Sequence, residues 1–86
     1  MGIILFYIYV LWSSKLKKRY TGSTEFINKR ISQHNRGYNK FTKGGIPWVL
    51  IHSEEFGTKT EALKSEKFLK SGQGRAWLDM KFHQYK

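Results

Sequence analysis

Two phenol-bearing triplets, Tyr7-Ile8-Tyr9 and Tyr20-Thr21-Gly22, stand near the start of the chain, and Arg30 follows ten residues after the second begins. A solitary carboxylate, Glu66, lies far downstream. Phenols, a guanidinium and a carboxylate on a small basic chain are the ingredients of metal-assisted phosphodiester hydrolysis, with tyrosine in the proton-transfer role that histidine fills elsewhere. A phenol with a pKa of about 10 is a poor base at neutral pH. Nearby Arg, Lys or metal charge favours phenolate and lets it take a proton from attacking water. Arg30 would be a fixed positive fork on the scissile phosphate, offsetting the charge that grows in the transition state. Taken singly, each residue also has a plain structural use: tyrosine as a core or surface aromatic, arginine as a stem over the core with its head in water.

The chain has six acidic residues, and five have ordinary explanations. Glu25 and Glu61 suit helix N-termini, Glu54 and Glu55 a strand exit, and Asp79 a surface helix near the end. Glu66 lies four residues after Ala62, three after Leu63 and three before Leu69, inside an apolar helical stripe. An ionised carboxylate there needs a partner: an ion pair with Arg30 or a lysine, or a cation in a cleft. One carboxylate with water in the remaining positions suits Mg²⁺ or Mn²⁺ better than zinc. His34 follows Arg30 by one helical turn, and Gly22 would let the backbone approach a phosphate closely.

These residues need elements to place them. Ile3 to Trp12 is rich in β-branched and aromatic residues and reads as a central strand, with Leu5, Tyr7, Tyr9 and Leu11 on one face and Ile4, Phe6, Ile8, Val10 and Trp12 on the other. A basic loop, Ser13 to Lys18, leads to a second strand around Arg19 to Gly22, forming a hairpin. Ser23 or Thr24 would cap a helix that starts at Glu25 and stops by Gly37, with Ile27, Arg30, Ile31 and His34 along one stripe turned toward the core. Pro47 ends a polar connector before a third strand, Trp48 to His52. Thr58 and Glu61 match a capping box for a helix running to about Lys70. Gly72 and Gly74 interrupt the pattern before a short final helix over Arg75 to Phe82.

Composition bounds the partners. Lys and Arg total 16 against 6 Asp and Glu, for a net charge of +10, so the surface favours a polyanion. Nucleic acid is the first candidate and an anionic membrane surface the second. The N-terminal apolar run is only half the roughly 20 residues that a spanning helix needs, and its basic residues follow it instead of preceding it. The absence of cysteine excludes disulfides and Cys-ligated zinc and fits a reducing cytosol. At 86 residues, one domain over residues 1–86 is expected.

Together, Tyr20-Thr21-Gly22-Ser23-Thr24, Lys29-Arg30-Ile31-Ser32-Gln33-His34-Asn35 and Glu61-Ala62-Leu63-Lys64-Ser65-Glu66-Lys67 resemble the GIY-YIG nuclease superfamily. The likeness spans nearly the whole chain and is strongest to small standalone bacterial members similar to the N-terminal nuclease domain of the excision-repair incision subunit. It implies an α+β fold with a three-stranded antiparallel sheet flanked by helices, ordered β-β-α-β-α-α. By this resemblance Tyr9 and Tyr20 match the tyrosines of the two name-giving motifs, Arg30 the phosphate-binding arginine, Glu66 the metal-binding glutamate, and His34 a position held by His or Tyr. It further implies hydrolysis by direct attack of water with one divalent cation, Mg²⁺ or Mn²⁺, and a tyrosine base, Tyr9 being favoured over Tyr20. The products would be 5′-phosphate and 3′-hydroxyl ends. Tyr7 replaces the glycine of the first motif, Thr21 the isoleucine of the second, and Ser23 a lysine found in some repair enzymes. A late asparagine used by some members has no counterpart.

The expected function is thus a divalent-metal-dependent DNA endonuclease of low sequence specificity in DNA repair or processing. Its substrate would be branched or single-stranded DNA, held at Gly22, Arg30, Lys15, Lys18, Lys40 and Lys43. The alternative is a noncatalytic nucleic-acid-binding module with the same fold.

Overall fold

The computed structural model describes residues 2–86, in the order β1 (Phe6–Ser13), β2 (Lys18–Thr24), α1 (Ile27–Asn35), β3 (Trp48–Phe56), α2 (Lys59–Lys70) and α3 (Gly72–Lys81). The strands form an antiparallel sheet in the order β2-β1-β3, so β1 is central and the other two are edges. This is the α+β architecture implied by the resemblance.

Both faces of β1 are covered, which is why its sequence is apolar without interruption. Ile8 and Val10 face α2 and α3, in a core with Ala62, Leu69 and Leu78. Tyr9 and Leu11 face α1, in a second core with Trp48, flanked by Ile27 and Ile31. The strand is shorter at its start than its composition predicts. Pairing begins at Phe6↔Phe56 and Tyr7↔Thr24. Ile3 and Ile4 lie beyond the reach of either neighbour and are exposed.

Pairing also overrides two expected boundaries. Ser23 and Thr24 have the chemistry of helix caps, but they lie in β2 opposite Ile8 and Tyr7. Helix α1 therefore starts two residues later than expected, at Ile27, with no side-chain cap; Thr24 Oγ1 instead accepts from the Phe26 N–H at 3.0 Å. Strand β3 runs through Glu54 and Glu55 to Phe56 instead of ending at His52. Glu54 is accommodated because its carboxylate accepts from Ser65 Oγ of α2 and lies 2.9 Å from His52 Nε2. Burial raises the Glu54 pKa, but those two hydrogen bonds, with the His52 and Lys81 charges, outweigh it and hold it below the usual 4.5.

Helix α2 begins where the capping box places it: Thr58 Oγ1 accepts from the Glu61 N–H at 3.2 Å and donates to the Glu61 carboxylate at 2.9 Å. Helix α3 starts three residues earlier than predicted, with both glycines inside it. Ser71 caps it through the Gly74 N–H at 3.2 Å. A Cβ on Gly74 would run into the Phe68 carbonyl and come within 2.6 Å of Leu69 Cα, so this glycine lets α3 lie directly against α2. The chain end is tied to β2 by Arg19, whose guanidinium donates to the Tyr85 carbonyl at 3.1 Å and to Asp79 at 2.7 Å.

Gly72 has open space around its Cα. Gly72→Ala should stabilise the protein by about 0.4–1 kcal/mol through the unfolded chain. Gly74→Ala should destabilise it by about 1–3 kcal/mol through overpacking. Urea denaturation of both variants checks the contrast.

Candidate active site

The odd-numbered face of β1 carries Tyr9 beneath α1, and the cross-strand residue on β2 is Gly22. A Cβ at position 22 would lie 2.5 Å from the Tyr9 hydroxyl oxygen. Glycine is therefore required to make room for the Tyr9 phenol, a use more immediate than the expected approach of backbone to phosphate. Freed of that obstruction, the ring crosses to α1, where Tyr9 Oη lies 2.9 Å from His34 Nε2. Both side chains are buried, at 2% and 1% exposure.

His34 Nδ1 lies 2.8 Å from Thr42 Oγ1, whose own hydroxyl points to the Asn39 carbonyl at 3.4 Å. This geometry fits the tautomer in which Thr42 accepts from Nδ1–H and Nε2 accepts from the Tyr9 O–H. Burial, and secondly the Arg30 charge, lower the His34 pKa from 6.5, so the imidazole is neutral at pH 7. Tyr9 is shifted the other way from expectation. Burial comes first and the Tyr20 and Glu66 charges add to it, raising its pKa well above 10.0 despite the opposing pull of Arg30. A free phenolate is therefore not the resting state of this residue.

Tyr20, on β2, covers the pair: its ring centroid is 5.0 Å from that of His34 and 6.3 Å from that of Tyr9. Arg30 does not turn into the core with its stripe partners Ile27, Ile31 and His34. It is exposed and borders a cleft of ≈ 140 Å³ shared with Gln33, His34, Tyr38 and Asn39. It also borders a larger one of ≈ 600 Å³, shared with Ser23, Thr24 and Lys59. The α1 backbone turns its side chain to the β2 edge, where a guanidinium can stay hydrated.

Glu66 approaches the same edge from the other side of the sheet. Of its expected stripe, Ala62 and Leu69 are buried but Leu63 is exposed, so the apolar face is narrower than the spacing implied. Its side chain is 19% exposed and pairs with Lys70 at 2.6 Å. Burial raises its pKa, but hydrogen bonds from Lys70 and Ser23 and the Lys70 charge prevail and hold it below 4.5. Among the described residues no group of three or more His, Asp or Glu side chains is placed to hold a metal ion.

The lysines expected to bind nucleic acid divide between two places. Lys15 lies in the hairpin turn, and Lys18, at the start of β2, lines a largely basic groove of ≈ 470 Å³ with Lys17, Arg19, Lys70, Arg75, Lys86 and the one carboxylate of Asp79. Lys40 and Lys43 lie in the loop after α1, on the His34 side. Two contributors escape sequence reading. Thr42 orients His34 through a contact that only the folded loop creates. Asn35 holds the loop closed by accepting from the Trp48 N–H at 2.6 Å and donating to its carbonyl at 3.0 Å, so its amide imitates a strand partner.

A three-stranded antiparallel sheet covered by helices on both faces, with two tyrosines gathered toward its β2 edge, makes this a small α+β domain. A family model described as the GIY-YIG catalytic domain matches residues 5–79, and the chain belongs to that family. Nucleases of the family act on nucleic acid and are generally divalent-metal dependent. Similar proteins include a UPF0213 protein of Natronomonas pharaonis, 38% identical over 66 residues that cover 76% of each chain. Another, from Staphylococcus saprophyticus, is 44% identical over 66 residues, 76% of this chain and 79% of that one. A third, from Streptococcus agalactiae, is 38% identical over 65 residues, 74% and 73% of the two chains. No helix among the described residues is long and apolar enough to cross a membrane.

Because the folded state holds His34 neutral, its contribution to stability is complete above the unfolded value of 6.5 and falls as pH drops through it. Urea melts between about pH 8 and about pH 5 should show this slope, and His34→Gln should flatten it; the lowered carboxylates Glu54 and Glu66 act only in the more acid range below 4.5. Gly22→Ala should cost about 1–3 kcal/mol by pushing the Tyr9 ring off His34, measured in the same melts.

Proposed function

We propose that this protein is a divalent-metal-dependent endonuclease that hydrolyses DNA phosphodiester bonds with little sequence preference, leaving 5′-phosphate and 3′-hydroxyl ends. The observation that carries the reading is the buried hydrogen-bonded chain Tyr9–His34–Thr42, with its phenol end toward β2 and close enough to Arg30 and Glu66 to feel both charges.

In this reading the high Tyr9 pKa is no obstacle, because Tyr9 relays a proton instead of storing a vacancy for one. As the water oxygen attacks phosphorus, its proton passes to Tyr9 Oη while the phenolic proton passes to His34 Nε2. The bond from phosphorus to the 3′-oxygen breaks, and that oxygen leaves with a proton from solvent. Thr42 holds Nδ1–H and keeps Nε2 free to receive. Tyr20 covers the pair and limits water around it, and Arg30 neutralises charge on the phosphate.

Glu66 would hold the cation. Its carboxylate is ionised at neutral pH, carboxylate oxygen is the kind of donor a hard divalent cation takes, and its present partner is the exposed Lys70. A helical pair of that kind is worth about 0.3–0.5 kcal/mol, little enough for a divalent ion to displace. When bound, Mg²⁺ or Mn²⁺ stabilises negative charge on the leaving oxygen. The same Lys70 pair is the specific observation favouring the second reading, a noncatalytic nucleic-acid-binding module in which lysine stands permanently where a cation would sit.

Nicking of supercoiled plasmid with Mg²⁺, Mn²⁺ or EDTA separates the two. The nuclease reading expects cation-dependent nicking, reduced about 10²–10³-fold by Arg30→Ala and lost in Glu66→Gln. It also expects the rate to fall on the acid side of 6.5 as His34 takes up a proton and ceases to be an acceptor. Binding without nicking in any metal would establish the module instead.

A further inference from the structure

The loop after α1 leaves two large aromatic side chains in water although its backbone is tightly fastened. Tyr38 is 67% exposed and Phe41 90% exposed. A single exposed aromatic is ordinary. Here two occupy one short loop that has no freedom to tuck them away. The Tyr38 N–H donates to the Gln33 carbonyl at 3.1 Å and the Phe41 N–H to Asn39 Oδ1 at 2.8 Å. From below, Thr42 anchors the loop to His34, and its carbonyl accepts from Trp48 Nε1–H at 2.7 Å.

The surroundings are one-sided in charge. From Phe26 through Ser53 there is no acidic residue, while Lys29, Arg30, Arg36, Lys40 and Lys43 supply five cations. Tyr38 is also a wall of the ≈ 140 Å³ cleft that contains Arg30 and His34. A partner matched to this surface must carry flat apolar faces and closely spaced negative charge. A strand of unpaired nucleotides has both, whereas a duplex hides its base faces in its own stack.

We propose that Tyr38 and Phe41 form a base-stacking platform that captures unpaired nucleotides beside the phosphate at Arg30. The proposal rests on the nucleic-acid reading above and makes unpaired or distorted segments the substrate class. Basic residues around the loop hold the backbone, and the two rings hold the bases, without reading sequence.

The test is fluorescence anisotropy in EDTA with labelled strands of about 12 nucleotides, a span within reach of one small basic surface. The probes are an oligodeoxythymidine, an oligouridine, an abasic deoxyribose-phosphate strand and a DNA duplex. Tyr38→Ala and Phe41→Ala, both at exposed positions, should each weaken binding of the base-bearing strands about ten-fold and leave the abasic strand and duplex nearly unchanged. Phe41→Trp should keep wild-type affinity, and its added indole emission should be quenched by the base-bearing strands. Loss on the deoxy or the ribo strand alone also supports the platform and says which sugar it accepts. Equal loss on the abasic strand, or no loss on any strand, overturns it while wild-type binding leaves the nucleic-acid reading standing. Failure of the wild-type protein to bind any probe at low salt overturns both.

Discussion

Burial of β1 on both faces is the constraint on which the rest of the structure depends. Alternation along one strand sends Ile8 and Val10 into the α2–α3 core and Tyr9 and Leu11 under α1. Each buried aliphatic side chain contributes about 1.5–3 kcal/mol, enough for the strand to fix its own register against both neighbours. A slip of one residue would exchange the two sets and carry the Tyr9 phenol away from His34. Core and candidate site are therefore specified by the same alternation.

That arrangement explains why the site gathers at an edge instead of in a deep cavity. Tyr9, Tyr20 and His34 come from one side of the sheet and Glu66 from the other, and they can meet only around β2, the nearer edge. Gly22 makes the meeting possible by removing a side chain from the path of the phenol. Arg30 stays hydrated at the rim, while the imidazole one turn later is buried and held neutral.

Much of this was legible in the chain, for identifiable reasons. The faces of β1 could be assigned because period-two alternation needs no knowledge of partners, and α2 because its capping box is local. The misreadings have a common origin in contacts distant along the chain. Ser23 and Thr24 carry the chemistry of caps, yet pairing with Ile8 and Tyr7 places them in a strand. Gly72 and Gly74 are weak helix formers, yet the close approach of α2 and α3 makes Gly74 fit where a larger residue would not. The direction of the Tyr9 shift depends on burial, which no motif reports, and the role of Thr42 depends on how a polar loop folds back over α1. The motifs name Tyr9 and His34; the structure adds the buried contact between them and the link from His34 on to Thr42.

The other edge of the sheet has a separate consequence. Between Val10 and Leu11 the pairing with β3 shifts register, so that Leu50 and His52 are matched to consecutive residues of β1 and Ile51 is passed over. This irregularity brings both Ile51 and His52 toward α3, where Ile51 joins the core and the His52 ring sits 5.4 Å from that of Trp77. It also bends the outer strand just after Val49 and Leu50, which are exposed apolar residues on an otherwise unpaired edge. A straight edge of that composition is a template for strand addition by another molecule, and a bulged one is a poor template. The misfit in β3 therefore bears on the outer face of the edge as well as on the core: it makes that edge a poorer template for a further strand than a regular one would be.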